Sequence, residues 1–68
     1  MIETITPRRA AEILREYGMK TSAETIQLGL QQGVFPFGEC IIQDQGGRTF
    51  YIYKTKLDEW IKEREAKA

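Results

Sequence analysis

The segment Val34-Phe35-Pro36-Phe37-Gly38 is the strongest constraint on what this chain can become. Pro36 offers no amide hydrogen and its ring forces Phe35 out of the α region, so no helix can run through it. The segment is nonetheless apolar, and burying it calls for an extended loop pinned into the core by Phe35 and Phe37. It also divides the chain, because helical periodicity precedes it and strand alternation follows it. At 68 residues the two halves must share one core, since a domain near this size buries only about 60% of the surface its unfolded chain exposes. A single domain over residues 1–68 is expected, with marginal stability and a function directed outward, toward binding.

Upstream, Ile2 to Ile5 forms a short β-capable lead. Thr6 as N-cap and Pro7 at the first helical position predict a helix start. Ala10, Ile13, Leu14 and Tyr17 then recur at the spacing of one buried face, with Arg8, Glu12 and Arg15 on the opposite side and Gly18 as the stop. A second helix opens at Thr21-Ser22-Ala23-Glu24, a capping box in which the Thr21 hydroxyl and the Glu24 carboxylate satisfy each other's free amides. It ends at Gln32, with Gly33 beyond. Steps of 100° group Ala23, Ile26 and Leu30 on the buried side and Glu24, Gln27, Leu28 and Gln31 on an outer arc. Leu28 is the anomaly, an apolar residue where a solvated helix carries a polar one.

Downstream, a β-hairpin is predicted from Cys40 to Gln43 and from Arg48 to Tyr53, joined by Asp44-Gln45-Gly46-Gly47, whose paired glycines can take positive φ. Phe50 and Ile52 alternate with Thr49, Tyr51 and Tyr53, so one face is buried and the other aromatic and partly wet. A last helix starting near Thr55 carries Leu57, Trp60 and Ile61 inward. Its charged tail, residues 62–68, extends as a solvated helix or frays.

Composition narrows the chemistry. Ten Lys and Arg balance ten Asp and Glu, so any claim of nucleic-acid binding must rest on where the charges sit. One cysteine and no histidine exclude disulfide frameworks, zinc fingers and His-based acid–base catalysis. Cys40 has no histidine to act as its base and reads as a buried structural thiol, while Gly46-Gly47 is too short to cradle a phosphate and reads as a turn. No enzymatic activity, metal or cofactor is expected. No apolar run approaches the roughly 18 residues of a membrane span, and Met1 to Arg9 lacks the apolar core of a signal peptide. A reducing, cytoplasmic setting without membrane contact follows.

Helix, turn, helix, loop, hairpin, helix is the order of an α+β winged helix-turn-helix, a geometry that puts the second helix in a major groove. Thr21-Ser22-Ala23-Glu24-Thr25-Ile26, followed by Gly29-Leu30-Gln31-Gln32-Gly33 and Phe35-Pro36-Phe37-Gly38, resembles the small excisionase-type DNA-binding proteins of phages and integrative elements. These are in turn similar to the DNA-binding half of the MerR regulators. The resemblance covers nearly the whole chain, from Thr6 through Trp60. It departs from the family in a longer segment between the first two helices, Arg15 to Lys20, and in Gln27, where such proteins often carry arginine. What it implies is a recombination directionality factor that binds repeated sites and bends double-stranded DNA so that a tyrosine or serine integrase can assemble for excision. A small phage-type transcriptional regulator is the alternative within the class, and a protein-interaction module built on Leu28, Tyr51 and Tyr53 is the alternative outside it.

The residues that would read DNA follow from their chemistry. Gln27 and Gln31 carry amides able to pair with adenine N6 and N7, Leu28 can rest on a thymine methyl, and Glu24 can add a cytosine contact to its capping duty. Thr21, Ser22 and Thr25 can donate to phosphates at the helix start. Arg48, Lys54 and Lys56 give the hairpin and its exit a positive excess suited to a phosphate backbone, and Tyr51 can pack on sugar or donate to phosphate. Arg8 and Arg9 oppose the dipole of their own helix unless an anion sits there. A single module with zero net charge and few phosphate contacts binds one site weakly, so cooperative self-association of monomers on adjacent repeats is expected.

Overall fold

The computed structural model describes residues 1–65, so the end of the expected tail, residues 66–68, lies outside the described residues. Thr6 does cap the first helix: its backbone is extended (φ −79°, ψ 159°) and its hydroxyl accepts the Arg9 amide at 3.1 Å. Helix α1 then runs Pro7–Glu16 and buries Ala10, Ala11, Ile13 and Leu14. Tyr17 falls outside this face and is exposed, because the chain turns away there. Gly18, at φ 91°, lets its own amide reach the Arg15 carbonyl (2.9 Å) and the Met19 amide reach that of Leu14 (3.0 Å), a pairing that closes a helix only with a left-handed residue at that point.

Helix α2 spans Ala23–Gln32, and its cap is one residue later than the capping-box reading requires. Ser22, not Thr21, holds the extended cap conformation (φ −138°, ψ 166°), and its hydroxyl accepts the Thr25 amide at 3.3 Å. With Thr25 at the third helical position, Glu24 has no reciprocal bond to make and lies exposed. The physical reason is upstream: Arg15 Nε donates to the Thr21 carbonyl at 2.9 Å, which ties Thr21 into the connection between the helices. Gly33, at φ 74°, closes α2 as expected, with the Val34 amide bonded to the Gly29 carbonyl at 3.0 Å.

Beyond the proline loop the sheet forms in the order β1-β3-β2, from Thr4–Ile5, Gly38–Ile42 and Arg48–Tyr53 (β1, β2 and β3), all antiparallel. Pairing therefore begins at Gly38, two residues before the expected start. Gly38 opposes Ile52 and Cys40 opposes Phe50, which puts these four on the inner face. Glu39 opposes Tyr51 on the outer face, where the Tyr53 hydroxyl donates to Glu39 Oε1 at 2.8 Å. In the turn only Gly46 takes a positive φ (85°), so Gly47 is not a second left-handed residue. Gly38 is required for closeness instead: a Cβ there would collide with the Tyr51 carbonyl oxygen and stand 3.1 Å from Leu30 Cδ2.

Helix α3, Lys54–Glu65, begins directly at the end of β3, as the Lys54 amide donates to the Glu3 carbonyl at 3.0 Å. Leu57 and Ile61 are buried with Leu14, Ile26, Phe37 and Ile52 in one core. Trp60 is only half-buried, edge-on to Phe37 (centroids 5.3 Å apart) and Phe35 (6.0 Å), with the Arg64 guanidinium 4.1 Å over its ring. Phe37 is fully enclosed, and Phe35 stacks on it at 5.0 Å from the half-exposed side. The two phenylalanines thus anchor the loop unequally. The chain is α+β, with three helices packed on an antiparallel three-stranded sheet.

Candidate nucleic-acid interface

The outer surface of α2 is set by what the inner surface must bury. Ile26, Gly29 and Leu30 face the core, and at 100° per residue this leaves Glu24, Leu28, Gln31 and Gln32 on the far side. All four are exposed, Leu28 at 53% of its surface, and Gln27 flanks them half-buried. The arc therefore carries no packing duty. Leu28 is the apolar residue of this exposed arc. Gly29 was not among the expected inward residues. A Cβ there would overlap the Phe35 ring, so this glycine lets the proline loop lie directly against α2. The signal was present in the sequence as an unexplained glycine inside a helix.

The start of α2 holds the three hydroxyl residues together, but in different states. Ser22 Oγ is engaged as the cap and lies 3.1 Å from Thr25 Oγ1, and Thr25 is exposed. Thr21 Oγ1 is buried and has no hydrogen-bond partner. Ser22 and Thr25 are thus reachable from outside the helix start, and the Thr21 hydroxyl is turned inward.

Arg48 stands at the distal end of the β2–β3 hairpin, exposed opposite Ile42. Gln43 Nε2 donates to Thr49 Oγ1 at 2.9 Å, and the Gln43 amide donates to the Gly47 carbonyl at 2.7 Å, which stiffens the tip. Tyr51 is 41% exposed and free on the outer face. Tyr53 is occupied by Glu39, whose carboxylate accepts its hydroxyl proton and holds its pKa above the ordinary value of 10.0. Cys40, expected to be buried, is only half-buried, on the inner face against the core.

The basic residues divide into free and engaged. Lys54 Nζ is held by both carboxylate oxygens of Asp58, at 2.7 and 2.9 Å, a contact that pushes the ammonium pKa up. Arg9 pairs with Glu12 at 3.4 Å. Arg8, Arg48 and Lys56 have no ion-pair partner among the described residues and are exposed. Of the five cations expected to contact DNA, these three can meet an outside anion directly, while Arg9 and Lys54 must first release an acid.

A groove of about 460 Å³ lies elsewhere, between the end of α1 and α3, where Leu14, Tyr17, Met19, Trp60 and Arg64 line it. It contains none of the α2 or hairpin residues. Among the described residues no cluster of three or more His, Cys, Asp or Glu could hold a metal ion, and no helix is long and apolar enough to cross a membrane. No family model, no curated protein and no solved structure matches this chain.

Proposed function

We propose that this chain is a small winged helix-turn-helix protein that binds double-stranded DNA in a sequence-specific way, with α2 in the major groove and the β2–β3 hairpin as the wing. The observation that carries the reading is the outer arc of α2, where Leu28 and Gln31 are exposed, Gln27 flanks them half-buried, and Thr25 is exposed near the helix start. Amides at this spacing suit adenine edges, and an exposed leucine suits a thymine methyl. Arg48 at the hairpin tip and Lys56 at its exit supply phosphate contacts of the kind that fix register without reading sequence. The resemblance at Thr21 to Ile26 and Gly29 to Gly38 extends this to an excision factor that bends DNA for an integrase, with monomers filling adjacent repeats cooperatively.

Selection from a pool of random duplexes tests the reading. Enrichment of a defined motif, lost when Gln27→Ala and Gln31→Ala are combined, supports base reading by α2. A selected pool without any preferred sequence contradicts it. A protein-interaction role draws on the hairpin's exposed apolar side chains, Ile41 (49%) and Ile42 (67%), and predicts binding to a protein partner with little response to salt.

A further inference from the structure

Between the end of α1 and the start of α2 lies an open cleft of about 400 Å³, lined by Arg15, Gly18, Met19, Lys20 and Thr21. No carboxylate lines it, and neither Arg15 nor Lys20 has an ion-pair partner among the described residues. Arg15 is partly immobilised, because its Nε donates to the Thr21 carbonyl at 2.9 Å. That bond leaves the terminal guanidinium nitrogens without a partner among the described residues. Thr21 adds an independent observation: its hydroxyl is buried yet unpaired, a state that costs free energy unless a ligand or water completes it. One residue on, Ser22 caps only the Thr25 amide, so the Ala23 and Glu24 amides of the first turn lack an acceptor among the described residues. One partly held cation, one exposed cation, an orphan hydroxyl and the positive end of a helix adjoin one another in the chain, and together they favour an anion carrying several acceptor oxygens.

We infer that this cleft is a phosphate seat, and, resting on the DNA-binding reading, that its occupant is one backbone phosphate of the duplex bound by α2. Arg15 is oriented by its own backbone contact, Lys20 supplies the second charge, and the Thr21 hydroxyl, buried in the free chain, donates to a phosphate oxygen only by leaving its inward position. None of these roles depends on base identity, so the cleft positions α2 and does not read sequence. It also gives the six-residue connection Tyr17 to Ser22, longer than a tight helix-helix turn, a purpose of its own.

The full chain, titrated first with inorganic phosphate and then with a duplex, tests this. In the phosphate arm, followed by amide NMR, shifts concentrated at Arg15 to Ala23 that saturate, and that weaken in Lys20→Gln and in Thr21→Val, support the seat. Thr21→Val removes only the hydroxyl, and with it an unpaired buried polar group, so it keeps the fold and separates binding from stability. No such shifts, or shifts unchanged in both variants, overturn the seat. In the duplex arm, Arg15→Gln with Lys20→Gln should lower affinity for all sequences and reduce the slope of log K against log salt by about one unit, as for one lost phosphate. Duplex binding with an undiminished slope overturns the cleft as a DNA contact and leaves the DNA-binding reading intact. Phosphate bound at the cleft by a protein that binds no duplex supports the seat with free phosphate as its source, and it is the DNA-binding reading that then fails.

Discussion

Replacing Gly29 by alanine sets two effects of known size against each other. Alanine in a helix interior is favoured over glycine by about 1 kcal/mol. Against that gain, the new Cβ overlaps the Phe35 ring, which stacks on Phe37 at 5.0 Å and meets the edge of Trp60 at 6.0 Å. The obstruction is a side chain and not backbone, so the ring moves and the fold survives. Moving it weakens two aromatic contacts worth about 0.5–1.5 kcal/mol each, within the roughly 1–3 kcal/mol usual for overpacking. The net expectation is a loss of up to about 2 kcal/mol, which at this chain length lowers Tm by about 4–8 °C for each kcal/mol. Thermal and urea unfolding followed by circular dichroism measure it. The decisive comparison uses Phe35→Ala as background: with the ring gone, Gly29→Ala should change sign and stabilise by up to about 1 kcal/mol. A rise in Tm in the otherwise native chain, or the same effect in both backgrounds, would refute the packing argument.

Three further outcomes are expected. Ser22→Ala should cost about 1 kcal/mol as a lost N-cap, whereas Glu24→Gln should change unfolding by only a few tenths of a kcal/mol because no reciprocal cap bond exists; chemical denaturation of both variants compares them. Tyr53 should ionise above 10.0 when followed by NMR, and Glu39→Gln should bring it down. Because the folded state holds this proton more tightly than the unfolded state, the associated stability is complete below the ordinary tyrosine range and disappears as pH rises through the folded value. Gln31→Ala should weaken binding to a selected site by about 1–3 kcal/mol while leaving random DNA nearly unaffected, as a competition titration would record.

The parts of this fold that were readable in the sequence are those fixed by local chemistry. Thr6-Pro7, Gly18, Gly33 and Pro36 act within a few residues of themselves, and each stands where its backbone preference requires. The β-hairpin was legible from alternation, although its start was placed late because Gly38 pairs through a close approach to Tyr51 and Leu30 that no local rule encodes. The capping residue was misassigned for the same reason: Arg15 reaches six residues along the chain to hold Thr21, and a nonlocal side-chain bond shifted the cap to Ser22. On the candidate interface, helical geometry alone separated Glu24, Leu28 and Gln31 from the core, whereas Gln27, expected on the same arc, is half-buried at its edge. Which cations are free could not be read that way, since the Lys54–Asp58 and Arg9–Glu12 contacts depend on rotamers as well as spacing.

Binding to duplex DNA across a range of salt concentrations measures the central claim most directly. If Arg8, Arg48 and Lys56, which have no ion-pair partner among the described residues, each meet a phosphate, and the proposed Arg15–Lys20 seat holds one more, log K falls linearly with log salt at a slope of about −3 to −4. Fluorescence anisotropy with a labelled duplex reads this slope. A chain that leaves the duplex free at the lowest salt, or binds it with an affinity indifferent to salt, would contradict the account.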